Sequence, residues 1–277
     1  MEMTDPGLLE DYAGAVTGIA RKAGARILEI YHRGFDVHTK QDGSPVTTAD
    51  QLAHELIIAE LNRLSPSIPV LSEESPPAEF DDRHSWPHYW LIDPLDGTKE
   101  FISRRGEFTV NIALISARQP VLGVVYTPVQ ELVHWAWDGG GAFRQTGTER
   151  PRTIRVREYD GGVPTVVASR SHGTENLEKF LASVEKKHGG YELTSMGSAL
   201  KICIVAEGNA DIYPRLGPTS EWDTAAAHCV LVAAGGRLTD RDGAQLLYNK
   251  ESILNPWFMA SGGGSENWCR HLAGIDA

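Results

Sequence analysis

Tyr89-Trp90-Leu91-Ile92-Asp93-Pro94-Leu95-Asp96-Gly97-Thr98-Lys99-Glu100-Phe101 runs an apolar, aromatic-rich strand straight into two carboxylates three residues apart. Pro94 bends the chain between them and Gly97 bends it after them. A hard cation such as magnesium takes oxygen ligands at short distances in octahedral geometry, and a bent segment can aim Asp93, Asp96 and the Leu95 carbonyl at one locus. Gly97 and Thr98 then open a short helix whose free N–H groups suit a phosphate. Taken alone, the segment also reads as an Asp-Pro turn with Asp96 capping a helix.

Other acidic residues extend the first reading. Leu71-Ser72-Glu73-Glu74-Ser75 sets two glutamates at the end of an apolar strand, within reach of a metal held by Asp93; by themselves they would be solvated loop charges. Glu221-Trp222-Asp223-Thr224-Ala225-Ala226-Ala227 puts an aspartate at the start of a small-residue helix, a cap position that also allows metal ligation. Together with Asp50, each of these carboxylates stands at a strand end or a helix start, where open sites are built.

Working outward, apolar residues from Leu9 to Tyr31 keep helical spacing behind Asp5-Pro6, and a second helical pattern follows Thr47-Thr48-Ala49-Asp50 and stops at Ser65-Pro66. Asp42-Gly43-Ser44-Pro45 between them is turn chemistry. Strands are predicted over 68–71, 89–92, 108–115, 121–126 and 132–137, with a hairpin turn at Gly139-Gly140-Gly141. Beyond about residue 155 the pattern alternates: strands over 165–168, 192–195 and 211–214, and helices over 174–187, 198–206 and 223–234. The fold class is therefore α/β. An α+β domain over 1–155 carries most of the acidic candidates, and an α/β domain over 156–277 completes the site.

Composition narrows the function. The 277 residues are 41% hydrophobic, as in an ordinary globular protein, and carry a formal net charge of -11. Such a charge repels a nucleic-acid polymer but leaves small anions open if metal ions mediate. No run is apolar enough to span a bilayer and the N-terminus lacks signal-peptide character, so a cytoplasmic protein is expected. Cys203, Cys229 and Cys269 are scattered and odd in number, which reads as packing residues in a reducing compartment.

Glu73-Glu74, Asp93-Pro94-Leu95-Asp96-Gly97-Thr98 and Trp222-Asp223-Thr224-Ala225-Ala226 together resemble the signatures of the inositol monophosphatase superfamily of metal-dependent, lithium-sensitive phosphatases, matching in order from about Lys40 to Asp223. Within it, Asp42-Gly43-Ser44-Pro45-Val46-Thr47, Gly97-Thr98-Lys99-Glu100-Phe101, the stretch from Gly106 to Leu114 and Gly197-Ser198-Ala199-Leu200-Lys201 look like the 3'(2'),5'-bisphosphate nucleotidases. Ala227 departs from the glycine of close relatives. The resemblance implies a layered α/β/α/β/α sandwich with the site between the two halves, and two to three Mg2+ ions. Glu73, Asp93 and the Leu95 carbonyl would hold the first ion, and Asp93, Asp96 and Asp223 the second. A third would sit near Glu73, with Glu74 assisting. Asp50 and Thr98 match the pair that orients and deprotonates the attacking water, and the Gly97 and Thr98 N–H groups would cradle phosphate.

The implied reaction removes the 3'-phosphate of 3'-phosphoadenosine 5'-phosphate, a step tied to sulfur metabolism, by water and without a covalent phosphoenzyme. A bisphosphate needs a second anion site, for which Lys201 and Arg215 are candidates, with Ser195 and Ser198 behind them. Inositol monophosphate or fructose 1,6-bisphosphate would use the same machinery. A catalytic aspartate of the Asp-x-Asp kind is disfavoured by the three-residue spacing with proline between. A non-catalytic nucleotide or sugar-phosphate sensor would have no need of Asp50 and Thr98. Oligomeric state is left open, a homodimer included.

Overall fold

In the first helix, α1 (Pro6–Arg33), Asp5 Oδ1 accepts the Gly7 N–H at 2.9 Å and Pro6 occupies the first turn, both start signals read from the sequence. Leu9, Ala13, Val16, Ala20, Ala23 and Ile27 form its buried stripe. The antiparallel pair of β1 (Val37–Thr39) and β2 (Pro45–Thr47) precedes α2 (Thr48–Leu64), which lies beside α1. The computed structural model describes residues 5–34, 37–39, 45–76, 80–169 and 175–275. Lys40, the turn residues Asp42-Gly43-Ser44, and Thr174 of the helix expected over 174–187 lie outside the described residues.

The chain continues through β3 (Val70–Ser72), the one-turn α3 (Phe80–Arg83), β4 (His88–Asp96), α4 (Thr98–Ile102), β5 (Thr109–Ser116), β6 (Gln119–Thr127), β7 (Leu132–Trp137), β8 (Gly141–Thr146) and β9 (Arg152–Thr153). The seven strands β3 to β9 form one sheet in sequence order, parallel only between β3 and β4. Next come β10 (Thr165–Ala168), α5 (Glu175–His188), β11 (Glu192–Ser195), α6 (Leu200–Ala206), β12 (Ile212–Arg215), α7 (Glu221–Ala233), β13 (Arg237–Asp240) and β14 (Phe258–Ser261).

Their sheet runs β11-β10-β12-β14-β13, with β10, β11 and β12 parallel and the last pairings antiparallel. The alternating reading of the second half thus describes only three of its five strands. β14 escapes it because Phe258-Met259-Ala260-Ser261 is buried on every side chain, so no polar alternation marks it.

Strand pleating sorts the core into layers, since successive side chains point to opposite faces. Trp90, Ile92, Ile112 and Leu114 pack on the α1 and α2 side of the large sheet. Their neighbours Leu91, Ala113 and Ile115 face α6 and α7, which also receive Val167, Tyr213, Phe258 and Ala260 from the second sheet. The outer face of that sheet, with Val166, Ile212 and Met259, is covered by Phe180, Leu181 and Val184 of α5 and by Trp268 and Leu272. The result is the α/β/α/β/α sandwich. The middle helix α7 lies so close to β6 that a Cβ at Gly123 would come 2.2 Å from the Ala226 carbonyl oxygen, which explains the alanine run of α7.

Among the described residues no helix is long and apolar enough to cross a membrane. Cys203 and Cys229 are buried, Cys269 is half-buried, and all three are free thiols.

Candidate active site

The register of β4 breaks between its two aspartates: Asp93 stands opposite Asn111 and Asp96 opposite Thr109. Three residues advance on β4 while two advance on β5, which is a bulge, and Pro94 with no N–H to give the ladder sits in it. In a regular strand residues three apart point to opposite faces. Here the bulge turns both carboxylates the same way, and one ligand oxygen from each of Asp93, Asp96 and Asp223 lies within 4.8 Å of the others.

Asp93 is 1% exposed, and its Oδ1 accepts the Leu95 N–H at 3.0 Å. Burial pushes its carboxyl well above the usual range, and the charges of Glu73, Asp96, Asp223 and Asp50 push the same way. Asp223 is pushed up to about 8, first by burial and then by Asp96. Glu73 is set beside Asp93 by its backbone N–H, which donates to the Ile92 carbonyl at 3.2 Å. Among the described residues none of the three clustered aspartates is ion-paired to lysine or arginine. Buried and half-buried carboxylates brought this close together, with no lysine or arginine in ion-pair contact, are the donor set of a hard divalent ion, so the residues present fit magnesium.

Two helix starts supply the remaining carboxylates through the same device. α2 begins with Thr47 as N-cap, and Asp50 at the third helical position closes a capping box. Asp50 Oδ2 accepts the Thr47 N–H at 2.8 Å and hydroxyl at 2.6 Å, while Oδ1 faces the Thr98 hydroxyl at 3.4 Å. Burial raises the Asp50 pKa, opposed by the bonds from Thr47. α7 begins at Glu221 with Ser220 as N-cap, which corrects the reading of Asp223 as the cap. Asp223 closes a second capping box, Oδ2 accepting the Ser220 N–H at 2.9 Å, and among the described residues its second oxygen accepts no hydrogen bond.

Gly97 leads into α4 with φ 89°, a left-handed conformation that suits glycine. The Thr98 hydroxyl also reaches the Leu95 carbonyl, at 3.4 Å. From the second half, the loop 197–199 docks on this turn. The Gly197 N–H donates to Glu107 Oε2 at 2.8 Å, the Ala199 N–H donates to Asp96 Oδ2 at 2.7 Å, and the Ser198 hydroxyl is paired with Thr109 Oγ1 at 2.8 Å. Glu107, Thr109 and Asn111 went unassigned in the sequence reading. Thr109 and Asn111 had a legible signal: two polar residues two apart in an otherwise apolar strand share one face.

Asp96, Gly97, Ser198, Lys201, Arg215 and Asp223 line one cleft that is open to solvent. Lys201 is only 6% exposed; its Nζ donates to the Ser198 carbonyl at 2.8 Å and lies 5.5 Å from the Tyr213 ring centroid. Burial lowers its pKa to about 8, the charge of Asp96 opposing. Arg215 donates from one terminal nitrogen to the Pro218 carbonyl at 2.8 Å, and its Nε is buried with no hydrogen-bond partner among the described residues. Ser195 is half-buried at the end of β11. His228 lies in the core, bonded to the Tyr248 hydroxyl at 2.9 Å, which makes it a structural histidine.

The model of the inositol monophosphatase family matches residues 8–265. The 3'(2'),5'-bisphosphate nucleotidase CysQ of Salmonella typhimurium is 49% identical over 249 residues, covering 89% of this chain and 98% of the relative. Among solved structures, CysQ from Bacteroides thetaiotaomicron, described as a bacterial member of the inositol monophosphatase family, superposes with a TM-score of 0.79 at 43% identity over 91% of this chain and 97% of that one. The extragenic suppressor protein suhB from Bartonella henselae follows with a TM-score of 0.77 at 26% identity, covering 95% and 98%.

Proposed function

The chain belongs to the inositol monophosphatase family, and we propose that within it the protein is a 3'(2'),5'-bisphosphate nucleotidase that hydrolyses 3'-phosphoadenosine 5'-phosphate to AMP and phosphate. The observation that carries the proposal is a single cleft lined both by Asp96 and Asp223 of the carboxylate cluster and by the basic side chains of Lys201 and Arg215. One phosphate would lie at the carboxylates through bound cations and the other would meet the two basic side chains.

Enzymes of this family are metal-dependent, usually on Mg2+. Two to three ions are proposed here, held by Glu73, Asp93, the Leu95 carbonyl, Asp96 and Asp223. When bound, magnesium supplies positive charge against the transferring phosphoryl group. Thr98 orients the attacking water, and the water's proton passes toward Asp50, whose basicity burial has raised. Gly97 and Thr98 present backbone N–H groups at the start of α4, Ser198 shapes the cleft wall, and Lys201 and Arg215 bind the non-scissile phosphate. Residues 1–155 thus contribute the water-activating pair and most metal ligands, and residues 156–277 contribute Asp223 and the second anion site. Free cysteines suit a reducing compartment, and the proposal places the enzyme in the cytoplasm.

The test is magnesium-dependent phosphate release from 3'-phosphoadenosine 5'-phosphate, inositol 1-phosphate and fructose 1,6-bisphosphate, compared by kcat/KM on one preparation. Preference for the nucleotide is expected. Preference for either other substrate would overturn the substrate assignment, and release from none would return the chain to the sensor reading.

A further inference from the structure

Away from the cleft, the end of α5 and the 3-10 turn over Trp268–Leu272 bring His188, Glu266 and His271 together, one ligand atom of each within 4.8 Å of the other two. His271 is 4% exposed. The Nε2 atoms of both rings are buried without a hydrogen-bond partner among the described residues. The other ring nitrogens are engaged: His188 Nδ1 with the Tyr159 hydroxyl at 2.7 Å, and His271 Nδ1 with Ser183 Oγ at 3.0 Å. Tyr159 gives its one hydroxyl proton to the Gly162 carbonyl, so toward His188 it accepts, and Nδ1 carries the ring proton. Nε2 of the neutral His188 ring is therefore a bare lone pair.

Glu266 Oε1 stands 3.7 Å from His271 Nε2, beyond hydrogen-bond range. Its cation is Lys187, whose Nζ is 2.6 Å away at the exposed rim. Phe180 and Trp268 pack on the two imidazoles and hold the rings in place.

We propose that His188, Glu266 and His271 form a second metal site, for a divalent transition-metal ion of the zinc, cobalt or nickel class, which ties the C-terminal segment to α5. Two imidazoles and a carboxylate are the donor set of such ions and a poor one for magnesium. A metal-ligating histidine is typically oriented by a hydrogen bond at its other nitrogen, the part played here by Tyr159 and Ser183. Glu266 closes on the ion by exchanging Lys187 for it. None of these residues lines the cleft described above, so the site is structural and independent of the phosphatase chemistry.

The test takes the full-length protein stripped with chelator, fills the aspartate cluster with excess magnesium, and titrates with Zn2+ and then Co2+. One zinc per chain should be retained against magnesium, and cobalt should give visible d–d absorption. His188→Gln and His271→Gln should each remove that ion, and Glu266→Gln should weaken it at least about tenfold. Asp93→Asn should keep it. Circular dichroism shows which variants fold, and magnesium-dependent phosphate release checks this for the His188, His271 and Glu266 variants; if a histidine variant does not fold, Glu266→Gln decides alone. No zinc retained in excess magnesium, unchanged zinc affinity in Glu266→Gln, or loss of the ion in Asp93→Asn would each overturn the site.

Discussion

The Thr98 hydroxyl stands 3.4 Å from Asp50 Oδ1, joining the first turns of α4 and α2 across 48 residues of chain. Both groups are held from behind, Asp50 by Thr47 and Thr98 by the turn that begins at Gly97. Such a pair acts as a unit. Asp50→Asn and Thr98→Ala should each lower kcat by about 10²–10⁴-fold with little change in KM. The double variant should be barely slower than the worse single one, and Thr98→Ser should recover most of the rate. A double-mutant cycle on kcat checks this; additive losses would mean the two residues act separately.

Asp93 carries charge that its surroundings resist, through burial and then through Glu73, Asp96, Asp223 and Asp50. Removing that charge should separate stability from activity. Asp93→Asn should lose phosphate release while the metal-free variant melts at or above the wild-type temperature. Magnesium should raise the wild-type melting temperature and raise the variant's much less. Calorimetry with and without magnesium reads both; a normal rate in Asp93→Asn would sink the metal scheme.

Lys201 has a pKa lowered to about 8, chiefly by burial. Only its charged form attracts an anion, so affinity for the second phosphate is present below about pH 8 and fades as pH rises through it. KM for 3'-phosphoadenosine 5'-phosphate should climb above that pH, while KM for 3'-AMP, which lacks the second phosphate, should not. Lys201→Met should raise KM for the bisphosphate about 10- to 100-fold, the worth of a charged hydrogen bond, and should flatten its pH dependence. Equal effects on both substrates would remove Lys201 from the second anion site.

His228 is buried neutral beside Tyr248, its pKa lowered to about 3 by burial, against about 6.5 in an unfolded chain. The folded state therefore binds fewer protons than the unfolded one between those values. Its contribution is complete above about pH 6.5 and is lost as pH falls toward 3, amounting to about 2 kcal/mol by pH 5. His228→Gln should unfold at a more nearly constant denaturant midpoint across that range. An unchanged acid slope would place the titrating group elsewhere.

Much of the site was legible because its residues sit at punctuation in the sequence. Asp93 and Asp96 flank a proline in an apolar strand, Gly97 follows, and Asp50 and Asp223 stand in first turns behind Thr47 and Ser220. Each of these features is local, set by backbone geometry over a few residues. The proposed second anion site was harder to read, because Lys201 and Arg215 sit on different elements, α6 and β12, and nothing local tells a buried lysine from a solvated one.

By itself the sequence determined the five longer helices and eight of the fourteen described strands in order, the apolar stripe of α1, and the family to which the acidic motifs belong, since all of these follow from short-range periodicity and residue identity. Only the tertiary structure decided how β13 and β14 close the second sheet, how the bulge at Pro94 turns Asp93 and Asp96 to one side, and how the loop at Ser198 meets Thr109. It alone brought His188 to Glu266 and His271. These contacts join residues far apart in the chain. Packing of whole layers against one another sets them, and no window of sequence carries that information.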